Sequence, residues 1–193
     1  MPQSRTASIA EIRHKLLPVE EAMALEVHGA TKAAVLVALY LFGDELHAVF
    51  TKRREDLRRH PGEISFPGGR YEEGEADLRA TALREAEEEI GLARDTVEVI
   101  GALRPTPTLA TNFAVYPFVG VIEPGQEWTL SAREVAQVLE LSLSALRAGY
   151  GRRRLVRRGI PIRTDTYLVG EHLIWGATAR ILGDLFDRIG ELV

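Results

Sequence analysis

Four glutamates lie close together in the segment REAEEEIG, between Arg84 and Gly91. At about 100° per residue, Glu85, Glu88 and Glu89 would fall within an arc of about 100° on one helix face. Like charges three or four residues apart on a helix repel each other by roughly 0.2–0.5 kcal/mol per pair. Negative charge in the last turn also opposes the helix dipole. Folding alone does not explain this spacing, whereas a hard divalent cation such as Mg²⁺ or Mn²⁺ prefers several oxygen ligands of this kind.

The alternative is a solvated acidic helix face, on which Arg84 would pair with Glu88 four residues further on. The preceding segment FPGG favours the metal site, because Gly68 and Gly69 allow the backbone to approach a neighbour closely. A glycine-rich turn that leads into an acidic helix can bring backbone N–H groups and a metal ion onto one diphosphate. By itself, the turn would indicate only a tight bend.

The helix that would carry the glutamates has clear ends in the sequence. A helical pattern runs from about Asp77 to Ile90, and Gly91 follows it as a stop signal. Before it, AAVLVALYLF and ELHAVFTKR predict two strands of a hairpin that turns at Gly43 and Asp44. A long loop with a short strand inside connects this hairpin to the helix, and loops of such length in compact domains tend to be functional.

The remaining segments predict the fold class. An N-terminal helix is expected to stop near Pro18, and a last helix to run from about Ala177 to Ile189. Buried strands are predicted at TVEVIGAL, AVYPFVGVI and REVAQVLEL, with a short helix at 143–147, and RRRLVRRG is expected to be a basic turn before further strands. Strands outnumber helices and do not alternate with them. We therefore expect one α+β domain over residues 1–193, with a mixed β-sheet between α-helices.

Composition excludes several classes of function. The chain has 193 residues and is 46% hydrophobic and 27% charged, as in ordinary soluble globular proteins. A net charge of −4 argues against non-specific nucleic-acid binding, and the absence of cysteine excludes disulfides and thiolate chemistry. No apolar run is long enough to span a bilayer and no secretory signal is evident, so we expect a cytoplasmic protein without a membrane partner. The oligomeric state is left open.

Gly69, Glu75 and REAEEEIGL resemble the Nudix box, G-x5-E-x7-R-E-U-x-E-E-x-G-U, in which U is a bulky aliphatic residue. The stretch from Gly69 to Arg84 is one residue longer than this pattern. When residues are counted forward from Gly69, Glu75 falls on the first glutamate of the pattern. When they are counted back from Arg84, Ala76 falls there instead. Glu75 or Asp77 could fill this role.

The resemblance implies a Nudix fold and a metal-dependent hydrolase. In that family, an activated water attacks phosphorus in a nucleoside diphosphate that is linked to another moiety. Glu85, Glu88 and Glu89 would then bind the Mg²⁺ or Mn²⁺, and Arg84 would orient a neighbouring glutamate. The general base would be Glu85, or Glu134 from a loop beyond the box.

The loop FTKRREDLRRHPGEISFPGG is similar to the signature of the coenzyme A pyrophosphatase branch of the Nudix hydrolases, L-L-T-x-R-[SA]-x3-R-x3-G-x3-F-P-G-G. Its spacing agrees from Thr51 to Gly69, and the segment IWGATARIL is similar to the closing helix of that branch. Arg54 departs from the signature, which has a small residue there.

This second resemblance implies hydrolysis of coenzyme A, or its derivatives, to 3′,5′-ADP and 4′-phosphopantetheine. Arg53, Arg58, Gly68 and Gly69 would contact the substrate phosphates, and the basic cluster 151–159 could contact the 3′-phosphate. Two alternatives remain open: a Nudix hydrolase for another diphosphate, such as ADP-ribose or NADH, and a Nudix-fold binding module without catalysis.

Overall fold

The structure, a computed structural model, describes residues 8–57, 61–108, 111–157 and 159–193. The helices are α1 (Ile9–Lys15), α2 (Val19–Ala24), α3 (Leu78–Ile90), α4 (Leu143–Ala148) and α5 (Gly176–Ile189). The first strands are β1 (Thr31–Phe42), β2 (Glu45–Arg53), β3 (Ile64–Ser65), β4 (Gly68–Arg70), β5 (Glu98–Ala102) and β6 (Thr106–Thr108). The later strands are β7 (Phe113–Val121), β8 (Val135–Ser142), β9 (Tyr150–Arg157), β10 (Ile160–Val169) and β11 (His172–Trp175).

Strand β1 lies at the centre of an eight-stranded mixed sheet with the order β3-β2-β1-β7-β5. It runs parallel to β7 and antiparallel to β2 and β4, while β8 pairs with the outer side of β2. The predicted hairpin is confirmed, and Gly43 at its turn has a φ of 61°, which favours glycine. Strands β9, β10 and β11 form a second, three-stranded antiparallel sheet.

Alternate residues of β1 face two different hydrophobic clusters, as the two-residue period of a strand requires. Ala33, Val37 and Leu39 belong to the cluster that includes buried residues of α1, α4 and α5. Leu36 and Ala38 belong to the cluster that includes buried residues of α2 and α3. The main sheet is therefore covered by helices on both faces, and the expected α+β class with a mixed sheet between helices is confirmed.

Helix α3 begins and ends where the sequence predicted. Asp77 is its N-cap and accepts a hydrogen bond from the Ala80 N–H at 2.8 Å. Gly91 ends it with a φ of 74° in the left-handed region. Ala86 and Ile90 are fully buried against the sheet, so packing fixes the helix rotation and with it the direction of the intervening glutamates.

The N-terminal helix stops near Pro18 as predicted, since α1 ends at Lys15. A second short helix, α2, follows with Pro18 as its N-cap and was not predicted from the sequence. One prediction about local structure was wrong. The segment predicted as a basic turn forms most of strand β9, which pairs with β10 over its whole length. Long-range strand pairing has overridden the local charge signal there. Among the helices of the described residues, none has both the length and the apolar character needed to cross a bilayer.

Candidate active site

The glycines of the FPGG turn lie directly between β1 and helix α3. As part of β4, Gly68 pairs with Val35 and Gly69 with Ala34. A β-carbon on Gly68 would overlap the Ala34 carbonyl oxygen, and one on Gly69 would overlap the Glu85 carboxylate. Only glycine allows this backbone to pass between the central strand and the acidic face of the helix.

Glu89 is the most deeply placed carboxylate of the site. It is 7% exposed, and its Oε2 accepts a hydrogen bond from the Gly68 N–H at 3.3 Å. Burial raises the pKa of Glu89 to about 8, and the nearby charges of Glu85 and Glu134 act in the same direction. The Gly68 N–H and the charge of Arg53 oppose this rise without cancelling it. A buried carboxylate whose charged form is disfavoured in this way is stabilised by a cation beside it.

Glu85 and Glu88 both contact Arg84. Nη1 of Arg84 lies 3.0 Å from Oε1 of Glu85 and 3.1 Å from Oε2 of Glu88. The Glu85 side chain is 17% exposed and its pKa is raised by burial, although Arg84 counteracts the effect. The Glu88 side chain is 57% exposed. Glu88 thus lies at the open side of the site, and Glu85 at its inner side.

Arg84 also selects between the two acidic residues that the sequence left open. Its Nε donates to Glu75 Oε1 at 2.8 Å, and Glu75 Oε2 accepts from the Thr81 hydroxyl at 2.6 Å and the Glu72 N–H at 2.7 Å. These hydrogen bonds lower the pKa of Glu75, even though burial by itself would raise it. Asp77 is used instead as the helix cap. The extra residue of the box is therefore absorbed between Glu75 and the start of α3.

Arg53 and Glu134 come together at the edge of the site. Nη1 of Arg53 lies 3.4 Å from Oε2 of Glu134, and the Arg53 Nε is buried without a hydrogen-bond partner among the described residues. The charge of Glu134 raises the pKa of both Glu85 and Glu89, so it acts on the same patch. The antiparallel pairing of β2 with β8, which sequence spacing does not reveal, brings the two residues together.

The remaining loop residues have different positions. Arg58, predicted to contact the substrate, lies outside the described residues. Arg54 forms a bidentate ion pair with Asp56, through Nε at 2.9 Å and Nη2 at 2.7 Å. Its Nη1 donates a hydrogen bond to the Ala132 carbonyl at 2.6 Å. The residue that departs from the branch signature thus ties the end of β2 to the segment before β8.

The donor set fits a divalent metal ion in its chemistry. Glu85, Glu88 and Glu89 offer carboxylate oxygens, and within the described residues the buried Glu89 forms no ion pair. Within the described ranges, however, no three acidic or imidazole side chains are gathered closely enough to hold an ion as they stand. Oε2 of Glu88 lies 3.1 Å from Nη1 of Arg84, so this oxygen would have to leave its partner to bind a metal ion.

Comparison with known proteins places this chain in a family. The sequence pattern described as the NUDIX domain matches residues 30–158. An uncharacterized Nudix hydrolase, NudL, from Enterobacter sp. is 39% identical over 170 residues, which cover 87% of this chain and 88% of the relative. NudL from Cronobacter sakazakii is 41% identical over 162 residues, which cover 83% of each chain.

Solved structures share the fold at low sequence identity. A MutT/nudix family protein from Enterococcus faecalis aligns with a TM-score of 0.57 at 16% identity and covers 97% of this chain and 71% of its own. The NUDIX domain of Shewanella oneidensis NrtR, crystallised with ADP ribose, aligns with a TM-score of 0.50 at 16% identity, over 74% of this chain and 88% of its own.

Proposed function

This chain belongs to the Nudix family, and we propose that it is a Mg²⁺- or Mn²⁺-dependent hydrolase of the diphosphate in coenzyme A or its derivatives. The products would be 3′,5′-ADP and 4′-phosphopantetheine. The observation that carries the proposal is the position of Gly68 and Gly69 against the carboxylates of Glu89 and Glu85. A substrate phosphate at this turn would meet backbone N–H groups and the acidic helix face together.

Glu85, Glu88 and Glu89 would hold the metal ion. A bound divalent ion neutralises phosphate oxygens and lowers the pKa of water. Arg84 contacts two of these side chains, Glu85 and Glu88, and is itself held by Glu75. Its own pKa is raised, because the hydrogen bonds and charges of Glu75 and Glu85 outweigh the effect of burial. Arg84 therefore stays cationic.

Arg53 supports the choice of a phosphate-rich substrate. Its guanidinium lies beside Glu134, and its Nε has no hydrogen-bond partner in the part of the chain that the structure describes. The branch signature also has arginine at this position. A guanidinium can donate two parallel hydrogen bonds to a phosphate. We propose that Arg53 and Arg58 bind phosphate oxygens ahead of the glycine turn. Glu134, which is 52% exposed and close enough to affect Glu85 and Glu89, is a candidate to accept a proton from the attacking water.

The direct test is mass spectrometry of products after incubation of the protein with Mg²⁺ or Mn²⁺ and coenzyme A, with ADP-ribose and NADH in parallel. We expect 3′,5′-ADP and 4′-phosphopantetheine, with slow turnover of the other two compounds. Faster hydrolysis of ADP-ribose or NADH would retain the catalytic helix and reject coenzyme A. Nucleotide binding without turnover of any of the three would instead support a binding module.

The helix offers a matched set of variants for this test. Glu88→Ala and Glu89→Ala should abolish turnover while the circular dichroism spectrum stays that of the folded protein. Glu87→Ala is the control, because Glu87 lies on the same helix but pairs with Arg94, whose Nε is 2.6 Å from its Oε2. Full activity in both Glu88→Ala and Glu89→Ala would refute the metal-site assignment.

A further inference from the structure

The exposed face of the β9–β10 hairpin carries three arginines outside the candidate active site. In the antiparallel register, Arg154 lies directly opposite Arg163, and Arg152 lies opposite Asp165. Residues two apart on a strand share a face, so Arg152, Arg154 and Arg163 point to the same side. Two like charges directly across a strand pair destabilise the sheet. The folded state alone therefore gives no reason for the Arg154–Arg163 pair.

Arg152 on this face contacts a carboxylate, that of Asp165. The Arg152 Nε lies 3.4 Å from Asp165 Oδ1, which also accepts a hydrogen bond from the Tyr150 hydroxyl at 3.0 Å. Over the ranges that the structure describes, neither Arg154 nor Arg163 forms an ion pair with a carboxylate. In a chain with net charge −4, this is a local excess of positive charge.

Arg153 shows how an arginine of the same strand is used structurally. It lies on the opposite face, and its Nη1 donates to the Thr166 hydroxyl at 2.5 Å and to the Gly149 carbonyl at 3.5 Å. Thr166 is itself fully buried. The hairpin therefore separates one arginine that holds the sheet together from three that face solvent.

The three exposed arginines line an open cavity of about 540 Å³, whose remaining wall is formed by Pro161 and Ile162. Tyr150, at the base of the same face, is 52% exposed. The guanidinium groups of arginines that line one cavity suit phosphate, whose oxygens can accept two parallel hydrogen bonds from each guanidinium.

We propose that this cavity is a second anion site, which binds the phosphate or diphosphate group of a small molecule. Binding would relieve the repulsion between Arg154 and Arg163 and leave Asp165 to hold Arg152 and Tyr150 in place. The phosphate could be a further group of the hydrolysed substrate or belong to a separate molecule. The proposal concerns binding and is independent of which diphosphate is hydrolysed.

The test is an NMR titration of the ¹⁵N-labelled protein with inorganic pyrophosphate, at constant ionic strength and with chelator present to exclude divalent metals. We expect saturable shifts of the amide resonances of residues 152–156 and 162–165. The double variant Arg154→Gln with Arg163→Gln should weaken this binding at least about tenfold, because two charge-assisted contacts are lost. If that variant fails to fold, Arg154→Gln alone is measured, with a smaller loss expected.

The matched control is Arg13→Ala with Arg94→Ala, which removes two exposed arginines that pair with Glu98 and Glu87 instead. It changes the net charge equally and should leave pyrophosphate binding unchanged. Equal weakening in both double variants would overturn the proposal in favour of general electrostatic attraction. Absence of saturable shifts in the hairpin would also overturn it and leave the arginines as protection of an exposed strand edge.

Kinetics distinguish the two sources of the phosphate. If the substrate supplies it, the hairpin double variant should raise KM for coenzyme A several-fold and leave KM for the 3′-dephosphorylated compound unchanged. If a separate molecule supplies it, both KM values should stay the same although pyrophosphate binding is lost. Either result is consistent with an anion site at the hairpin. The NMR titration tests that site directly, even if coenzyme A is not hydrolysed.

Discussion

Arg84 donates a hydrogen bond from Nε to Oε1 of Glu75, and this contact joins the middle of helix α3 to the turn that precedes it. The contact is well shielded, since the two side chains are 14% and 13% exposed. Through Nη1, the same guanidinium contacts Glu85 and Glu88. The position of two proposed metal ligands therefore depends on a residue outside the helix.

Replacement of Glu75 by glutamine should lower kcat by about tenfold or more and leave the fold intact. The variant keeps the size of the side chain but loses the charge that orients Arg84, which would then bind Glu85 and Glu88 more tightly. Steady-state kinetics with coenzyme A and a thermal melt measure the two effects.

Asp77→Ala is the matched control for this variant. It should cost about 1 kcal/mol of stability through loss of the α3 N-cap, with kcat unchanged. If Asp77→Ala loses activity and Glu75→Gln does not, the assignment of these two residues is reversed.

Gly69→Ala should abolish activity with only modest loss of stability. The new β-carbon would overlap the Glu85 carboxylate, which is the far end of a flexible side chain and can move aside at the expense of the site. In Gly68→Ala the overlap is with the Ala34 carbonyl in the central strand, which cannot move in the same way.

The two glycine variants should therefore differ in kind. Thermal melts should show a much larger loss of stability for Gly68→Ala than for Gly69→Ala, whereas activity is lost in both. A fully active Gly69→Ala enzyme would contradict the placement of the turn against Glu85.

The stability of the metal-free protein should decrease as pH rises from about 4.5 to 8. Burial raises the pKa of Glu89 to about 8 in the folded state, whereas the pKa of a glutamate in an unfolded chain is about 4.3. Between these values the folded chain binds more protons than the unfolded chain. The free energy of unfolding then falls by about 1 kcal/mol per pH unit.

Urea denaturation at several pH values, with chelator present, measures this slope. Glu89→Gln stays neutral throughout and should show a flatter profile, so the difference between the two proteins isolates the carboxylate. Parallel profiles for the two proteins would show that burial does not raise the pKa of Glu89.

Glu134→Gln should reduce kcat by about 10²-fold or more if Glu134 is the general base. Glu85, the other candidate, has its Oε1 engaged by Arg84 at 3.0 Å, whereas Glu134 is half exposed beside the same patch. The concentration of Mg²⁺ or Mn²⁺ that gives half-maximal rate should change less than kcat, because Glu134 is not among the proposed metal ligands and acts on Glu85 and Glu89 only through its charge.

A conservative variant provides a second measure. Glu134→Asp keeps a carboxylate at this position and should retain part of the rate that Glu134→Gln loses. Near-normal kcat in Glu134→Gln would transfer the role to Glu85.

Much of the site could be derived from sequence because its signals are local. The caps at Asp77 and Gly91 and the buried stripe through Ala86 and Ile90 involve neighbours within a few positions along one helix. Helical periodicity alone was enough to place Glu85, Glu88 and Glu89 on one side. The hairpin β1–β2 was equally readable, because its turn and its two apolar strands are adjacent in the chain.

Only the tertiary structure decided which distant groups meet. The choice of Glu75 over Asp77 depends on how the turn folds back onto Arg84, and the Arg53–Glu134 contact depends on the pairing of β2 with β8. The basic segment of β9 was predicted as a turn because charge is a local property. Strand register is set by partners far along the sequence, and that register places Arg154 opposite Arg163.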